Sequence, residues 1–177
     1  MTPAGSAAIP AVDADRLRIA EMIGQIAVAL MNTDRRPSRI ITAQSVENAM
    51  RVLLALGGST NAIIHLTAIA GRLGLTVDLG RLSELSDTTP VLVDLKPTGS
   101  GYMEDLHAAG GIPAVMRELR HLLHLDCLTV TGETIGDRID QRRPGSTGPS
   151  FGRSLSPCGQ TGASWRCSAT WRRAAPF

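Results

Sequence analysis

The chain has 177 residues, 43 % of them apolar, and a formal net charge of +2, a composition with enough material for one globular core. No run of 18 apolar residues occurs, which excludes a helical membrane span. The opening MTPAGSAAIPAVDADR lacks a basic region followed by an apolar block, so a secretory signal is not expected and the cytoplasm is the expected compartment.

Residues 1–11 are small and proline-punctuated and read as coil. Asp13 or Asp15 is placed to cap a helix running to about Leu30, with Leu17, Ala20, Ile23, Ala27 and Leu30 on one face. NTDRRPS, residues 32–38, reads as a polar loop, and Pro37 helps to stop the helix. Thr42 offers a cap for a second helix carrying Val46, Ala49, Met50, Leu53 and Leu56. Gly57 and Gly58 end it, and Ser59 is placed to cap the next. That third helix, apolar over most of its circumference through Ile63, Ile64, Leu66, Ala68, Ile69 and Leu73, is expected to be buried on several sides. Gly74 suits its C-terminal turn.

A short fourth helix is predicted over residues 79–85. VLVDL, residues 91–95, lies between Pro90 and Pro97 and reads as a buried strand. Residues 102–109 read as helix, closed by Gly110 and Gly111; Pro113 fits the first turn of another helix reaching about Leu123. CLTVTG, residues 127–132, is a β-branched strand candidate, and residues 133–139 a last short helix. Helices interleaved with short apolar strands predict an α/β class, helix-rich, with few short strands and an incomplete sheet.

Little of this carries obvious chemistry. GGSTN, residues 57–61, opens a helix where backbone amides, the helix dipole and the side chains of Ser59, Thr60 and Asn61 suit a carboxylate or an oxyanion. The alternative is a tight helix–helix turn with Ser59 as cap. MEDLHAAGG, residues 103–111, puts Glu104 and His107 three apart on one helix face, a pair suited to a metal or to proton transfer; the alternative is a surface salt-bridged turn. His121 and His124 share a spacing but lack a third ligand. The three cysteines, Cys127, Cys158 and Cys167, form no CxxC pair, and Cys127 in its apolar run reads as a small buried hydrophobe.

Taken together, SVENAMRVLLALGGSTNAIIHLTAIAGRLG, DLKPTGSGYMEDLHAAGGIPAVMREL and LHLDCLTVTGET resemble the dihydroxy-acid dehydratase / phosphogluconate dehydratase family, in unbroken order from about Gly5 to about Ile139. GGSTN followed by His65, and MEDLH followed by GGIP, are the most specific parts. The resemblance favours a substrate-facing role for Ser59, Thr60, Asn61, Glu104 and His107. It implies a lyase that removes water from a 2,3-dihydroxy acid to give a 2-keto acid, with an iron–sulfur cluster and Mg²⁺, in a homo-oligomer. Some family members serve branched-chain amino-acid synthesis and others dehydrate aldonic sugar acids. LKPTG with YMEDLH and GGIPAVM looks like the former; AIAGRLGLTVDL and LLHLDCLTVTGETIGDRI look like the latter. The family's cluster cysteines, magnesium ligands and serine base have no matching motif here, so no catalytic, cofactor or metal residue carries over, and no cofactor is expected on this chain alone. The resemblance divides the chain into the latter part of the N-terminal domain (1–125), the entry to the C-terminal domain (126–140) and an aberrant tail (141–177).

The tail breaks with the rest. All 16 acidic residues lie at or before Asp140, against 12 bases, a net −4; residues 141–177 carry six arginines and no acid, a net +6. With GC-rich codons over residues 156–176, a two-base shift of reading frame permits ALRPDGGVVAVLRDLAPRGA, which resembles the family's next segment. A frameshift near Asp140 is therefore expected, with a disordered tail rather than a nucleic-acid-binding one.

Overall fold

A computed structural model describes residues 3, 5–96 and 99–140; the expected tail lies outside the described residues. The helices are α1 (Asp15–Leu30), α2 (Pro37–Ile40), α3 (Ala43–Ala55), α4 (Thr60–Gly71), α5 (Leu79–Thr88), α6 (Met103–Ala108), α7 (Gly111–Glu118) and α8 (Ile135–Asp140), with a 3-10 turn at Arg120–Leu122. No helix among the described residues is long and apolar enough to cross a membrane.

The centre of the assembly is α3. Its start is set by a reciprocal cap: the Ser45 N–H donates to Thr42 Oγ1 at 3.2 Å, and the Thr42 N–H donates to Ser45 Oγ at 2.8 Å. At its other end the Gly58 N–H reaches the Leu53 carbonyl at 2.9 Å and the Gly57 N–H reaches that of Leu54 at 3.0 Å. This is the glycine-dependent helix stop, and Gly57 at φ 95° has the left-handed backbone that a side chain would strain. One face of α3 packs with α4 and α5 into a core of Val46, Met50, Ala70, Val77, Leu82 and Leu85. A second core joins the end of α3 to α6, α7 and α8 through Ala55, Val93, Leu106, Val115, Leu119 and Ile139.

Four expectations are corrected. First, the predicted strands do not build a sheet among the described residues. Leu95 makes an isolated parallel bridge to Gly101, and Leu128 an isolated antiparallel bridge to Thr134. A strand needs a neighbour, and here the backbone groups are taken locally: the Leu92 N–H goes to the Ala55 carbonyl at 2.9 Å, and the Thr129 N–H to that of Glu133 at 2.8 Å. What stands is a helix-rich fold. Second, α4 is not buried on several sides. Only Ala70 is buried, while Ile64 and Ile69 are 61 % and 51 % exposed. Third, α1 forms as predicted but buries none of its residues, and Asp13 rather than the cap residue Ala14 accepts the Asp15 N–H, at 2.8 Å. Fourth, α7 stops at Glu118 and passes into the 3-10 turn, and the expected loop at 32–38 contains the start of α2, where Pro37 opens a helical turn instead of only closing one.

Glu47 ties three elements together. It lies 3.2 Å from Arg81 of α5, 3.6 Å from Arg51 of α3 and 3.5 Å from His124 Nε2. Burial pushes its carboxyl upward, but Arg81, His124 and Arg51 outweigh this and hold it below its ordinary value of 4.5. A depressed carboxylate adds stability above its unfolded value, and that stability is lost as pH falls through the folded one. The Glu47→Gln chain should therefore be less stable near neutrality by at most about 1 kcal/mol after solvent screening. The difference should vanish in urea titrations carried out well below pH 4.5; a difference unchanged across that range would show that the network does not depend on the carboxylate charge.

Candidate functional site

The GGSTN segment forms the joint between α3 and α4. Once Gly57 and Gly58 have closed α3, Ser59 turns extended, at φ −162° and ψ 122°, and its side chain accepts the Ala62 N–H at 3.4 Å. The Ser59 carbonyl accepts the Ile63 N–H at 3.2 Å. Ser59 thus serves the helix start, as the turn alternative required. Thr60 and Asn61 form the exposed first turn of α4. His65, one turn further on, is also exposed.

MEDLH forms α6. Leu106 anchors it with a fully buried side chain. The Asp105 carboxylate turns back to accept the Tyr102 N–H at 2.7 Å, which fixes the start of the helix. Glu104 is exposed and His107 half-buried. Neither the Glu104 carboxylate nor the His107 imidazole has a hydrogen-bond or ion-pair partner among the described residues, so the salt bridge of the alternative reading does not involve this pair. The link before α6 is held by Asp94, whose carboxylate accepts from Ser100 Oγ at 2.7 Å, and by Lys96, which sits over the Tyr102 ring 3.9 Å from its centre and contacts the Tyr102 hydroxyl. α4 packs on α3 and α6 packs on α7, so the two candidate clusters rest on different neighbours, joined through the α3–α7 contact.

Two of the polar groups that sequence reasoning left without a role, Asn48 and His124, are structural. The side-chain amide of Asn48, 3 % exposed, donates to the His124 carbonyl at 2.9 Å and accepts the His124 N–H at 2.8 Å. Cys127 is buried, as expected, and takes a weaker contact from Asn48 Nδ2 at 3.6 Å. Burial raises its thiol above the ordinary value; a hydrogen bond with Thr42 opposes this and the Asp126 charge adds to it. Of the two spaced histidines, His121 is exposed in the 3-10 turn and His124 faces Glu47.

The described residues do not fit the iron–sulfur cluster or the Mg²⁺ that the resemblance implies. Cys127 is the one described cysteine, and a buried thiol held protonated is the wrong donor for a cluster. Among the described residues no three His, Cys, Asp or Glu side chains stand together as a metal would need. The two segments thus present the exposed side chains of Thr60 and Asn61 in the first turn of α4 and of Glu104 in the first turn of α6, with His107 half-buried in the last turn of α6.

Comparison with known proteins places the chain among the dehydratases by family. The dihydroxy-acid dehydratase of Caldicellulosiruptor saccharolyticus is 50 % identical over 137 residues, 76 % of this chain and 25 % of that protein. Those of Acetivibrio thermocellus and Haloarcula marismortui are 45 % and 44 % identical over 141 and 144 residues, or 78 % and 80 % of this chain and 26 % and 25 % of theirs. The family model described as dihydroxy-acid/6-phosphogluconate dehydratase N-terminal matches residues 1–138, and the chain belongs to that family. It spans about a quarter of the length of these curated relatives.

Proposed function

We propose that the chain is part of a dihydroxy-acid dehydratase of branched-chain amino-acid synthesis, acting in the cytoplasm as a homo-oligomer. Residues 1–125 supply the latter part of an N-terminal α/β domain, 126–140 lead into the C-terminal domain, and 141–177 are a frameshifted tail. In the reaction a 2,3-dihydroxy acid loses the C2 proton and the C3 hydroxyl as water, and the resulting enol tautomerises to the 2-keto acid. An iron–sulfur cluster and Mg²⁺, if bound by the whole enzyme, would supply Lewis-acid chemistry from residues outside this chain, and the chain alone is expected to be inactive. Its own contribution is to face the substrate: Ser59, Thr60 and Asn61 at the start of α4 orient the carboxylate, where the helix dipole favours an anion, and Glu104 and His107 line the approach from α6. The observation that carries this reading is the 50 % identity over 137 residues to a dihydroxy-acid dehydratase.

The test is an exchange. The matched stretch of the Caldicellulosiruptor saccharolyticus enzyme is replaced by residues 1–138 of this chain. The chimera should dehydrate a branched 2,3-dihydroxy acid; preference for an aldonic sugar acid would move the assignment to the family's sugar-acid members. In that chimera Asn61→Ala should lower kcat/KM by about 10- to 100-fold, the loss of one hydrogen bond to a charged group, with an unchanged melting temperature. An effect below about twofold would remove Asn61 from the substrate.

A further inference from the structure

The two candidate segments are joined by more than the packing of α3 on α7. Helix α3 ends just before the GGSTN turn at Ala55, which is fully buried. The Ala55 carbonyl accepts the Leu92 N–H at 2.9 Å, so the residues after Leu92 start from the end of α3. Ala55, Val93, Leu95 and the α6 residue Leu106 then share one core.

Half-buried Asp94 closes the path from there to α6. Its carbonyl accepts the Gly101 N–H at 2.9 Å, and its carboxylate accepts the Ser100 hydroxyl at 2.7 Å and the Ser100 N–H at 3.4 Å. Beside it the Lys96 N–H donates to the Gly101 carbonyl at 2.9 Å, and the Gly99 N–H to that of Leu95 at 2.8 Å. The approach leaves no room for a side chain, since a Cβ on Gly101 would stand 2.8 Å from the Asp94 carbonyl oxygen. Gly101 leads directly into Tyr102, the cap residue of α6, whose N–H is taken by Asp105 at 2.7 Å. Asp105 acts within its own helix. Asp94 is the carboxylate that reaches from the segment bound to α3 across to the segment that opens α6. Such a tie matters for chemistry because reacting groups must be held closely: a misplacement of about 1 Å can cost about 100-fold in rate.

We infer that Asp94 is a positioning residue: it holds α6, and with it Glu104 and His107, in fixed register with the end of α3 and so with Ser59, Thr60 and Asn61. Its effect on the reaction rests on the proposed function, while the seating of α6 is tested without catalysis. Asp94→Ala removes the tie, and Asp94→Asn keeps an oxygen for the Ser100 hydroxyl. Gly101→Ala keeps the carboxylate but forces the Asp94 carbonyl away, and Gly24→Ala in α1, with nothing within 4 Å, is the control for an added methyl. In the 177-residue chain, hydrogen exchange is read at Leu106, whose N–H donates to the Tyr102 carbonyl at 3.4 Å. Asp94→Ala and Gly101→Ala should each speed that exchange by about 10-fold, with Asp94→Asn and Gly24→Ala within about twofold of the parent. Unchanged exchange in both Asp94→Ala and Gly101→Ala means that Leu106 packing alone seats α6, and overturns the inference. In the chimera Asp94→Ala should lower kcat/KM by about 10-fold or more, restored by Asp94→Asn. With Glu104→Ala and His107→Ala already present, Asp94→Ala should lower it by less than about twofold further, because absent groups cannot be misplaced. A full loss in that background, or no loss in the parent chimera, overturns the role in the reaction. A chimera that dehydrates neither acid overturns the proposed function, and exchange at Leu106 then decides the Asp94 assignment by itself; an active chimera with unchanged exchange does the reverse.

Discussion

Leu119→Ala should destabilise the chain by about 3 kcal/mol, within the range for emptying a fully buried leucine site. Leu119 has no exposed surface and sits where α7 gives way to the 3-10 turn, in the core that gathers the end of α3, α6, α7 and α8. Its backbone is also committed: its N–H reaches the Val115 carbonyl at 3.1 Å, and its carbonyl accepts the Leu122 N–H at 2.8 Å. The alanine keeps those bonds and removes only the packing, so the loss reports the cavity alone. Whole domains are stable by about 5–15 kcal/mol, so the urea midpoint should fall sharply. Leu119→Met, which conserves volume, should cost less than about 1.5 kcal/mol. Equal behaviour of the two variants would mean that the core around Leu119 is not close-packed.

The second large effect is expected at Asn48. Its side-chain amide pairs with both polar groups of the His124 backbone, as a neighbouring strand would. Asn48→Leu fills similar space but leaves the part-buried N–H and carbonyl of His124 without their partner, at about 1 kcal/mol for each group, the low end of the range for fully buried ones. Urea unfolding should show a loss of that size, with backbone hydrogen exchange at His124 accelerated. Asn48→Asp separates the two bonds. The introduced carboxylate still accepts the His124 N–H but repels the His124 carbonyl, so this variant should be destabilised at neutral pH and recover part of the loss in acid, where the protonated group donates again. A loss that did not change with pH would show that the amide's donor is not what holds residue 124.

How much of this was legible follows the range of the interactions. The α3 cap, the glycine stop after Leu56 and the Ser59 cap involve residues within a few positions of one another, and each was found from residue type and spacing. The candidate site segments were legible as motifs, because GGSTN and MEDLH carry their residues in consecutive order. Asn48 was missed, although a signal existed. Counting four and seven residues on from it reaches Val52 and Ala55, a second apolar face on α3 beside the Val46–Met50 face. A helix with two such faces is buried on both, and a polar residue on one of them needs a partner inside.

The strands were misjudged for the opposite reason. VLVDL and CLTVTG have strand composition, but composition does not supply a neighbour, and among the described residues each found only a single bridge. The apolar circumference of α4 likewise signalled burial without saying what would cover it.

The sequence by itself determined where most of the helices lie, the caps at Thr42 and Ser59 and the family, since these depend on local hydrogen bonds and on residue order. Only the tertiary structure decided that Asn48 is a buried clamp on a segment 76 positions away and that α3 and α4 leave an apolar groove between them. Burial and backbone pairing are set by which distant residues meet, and residue type alone does not fix those meetings.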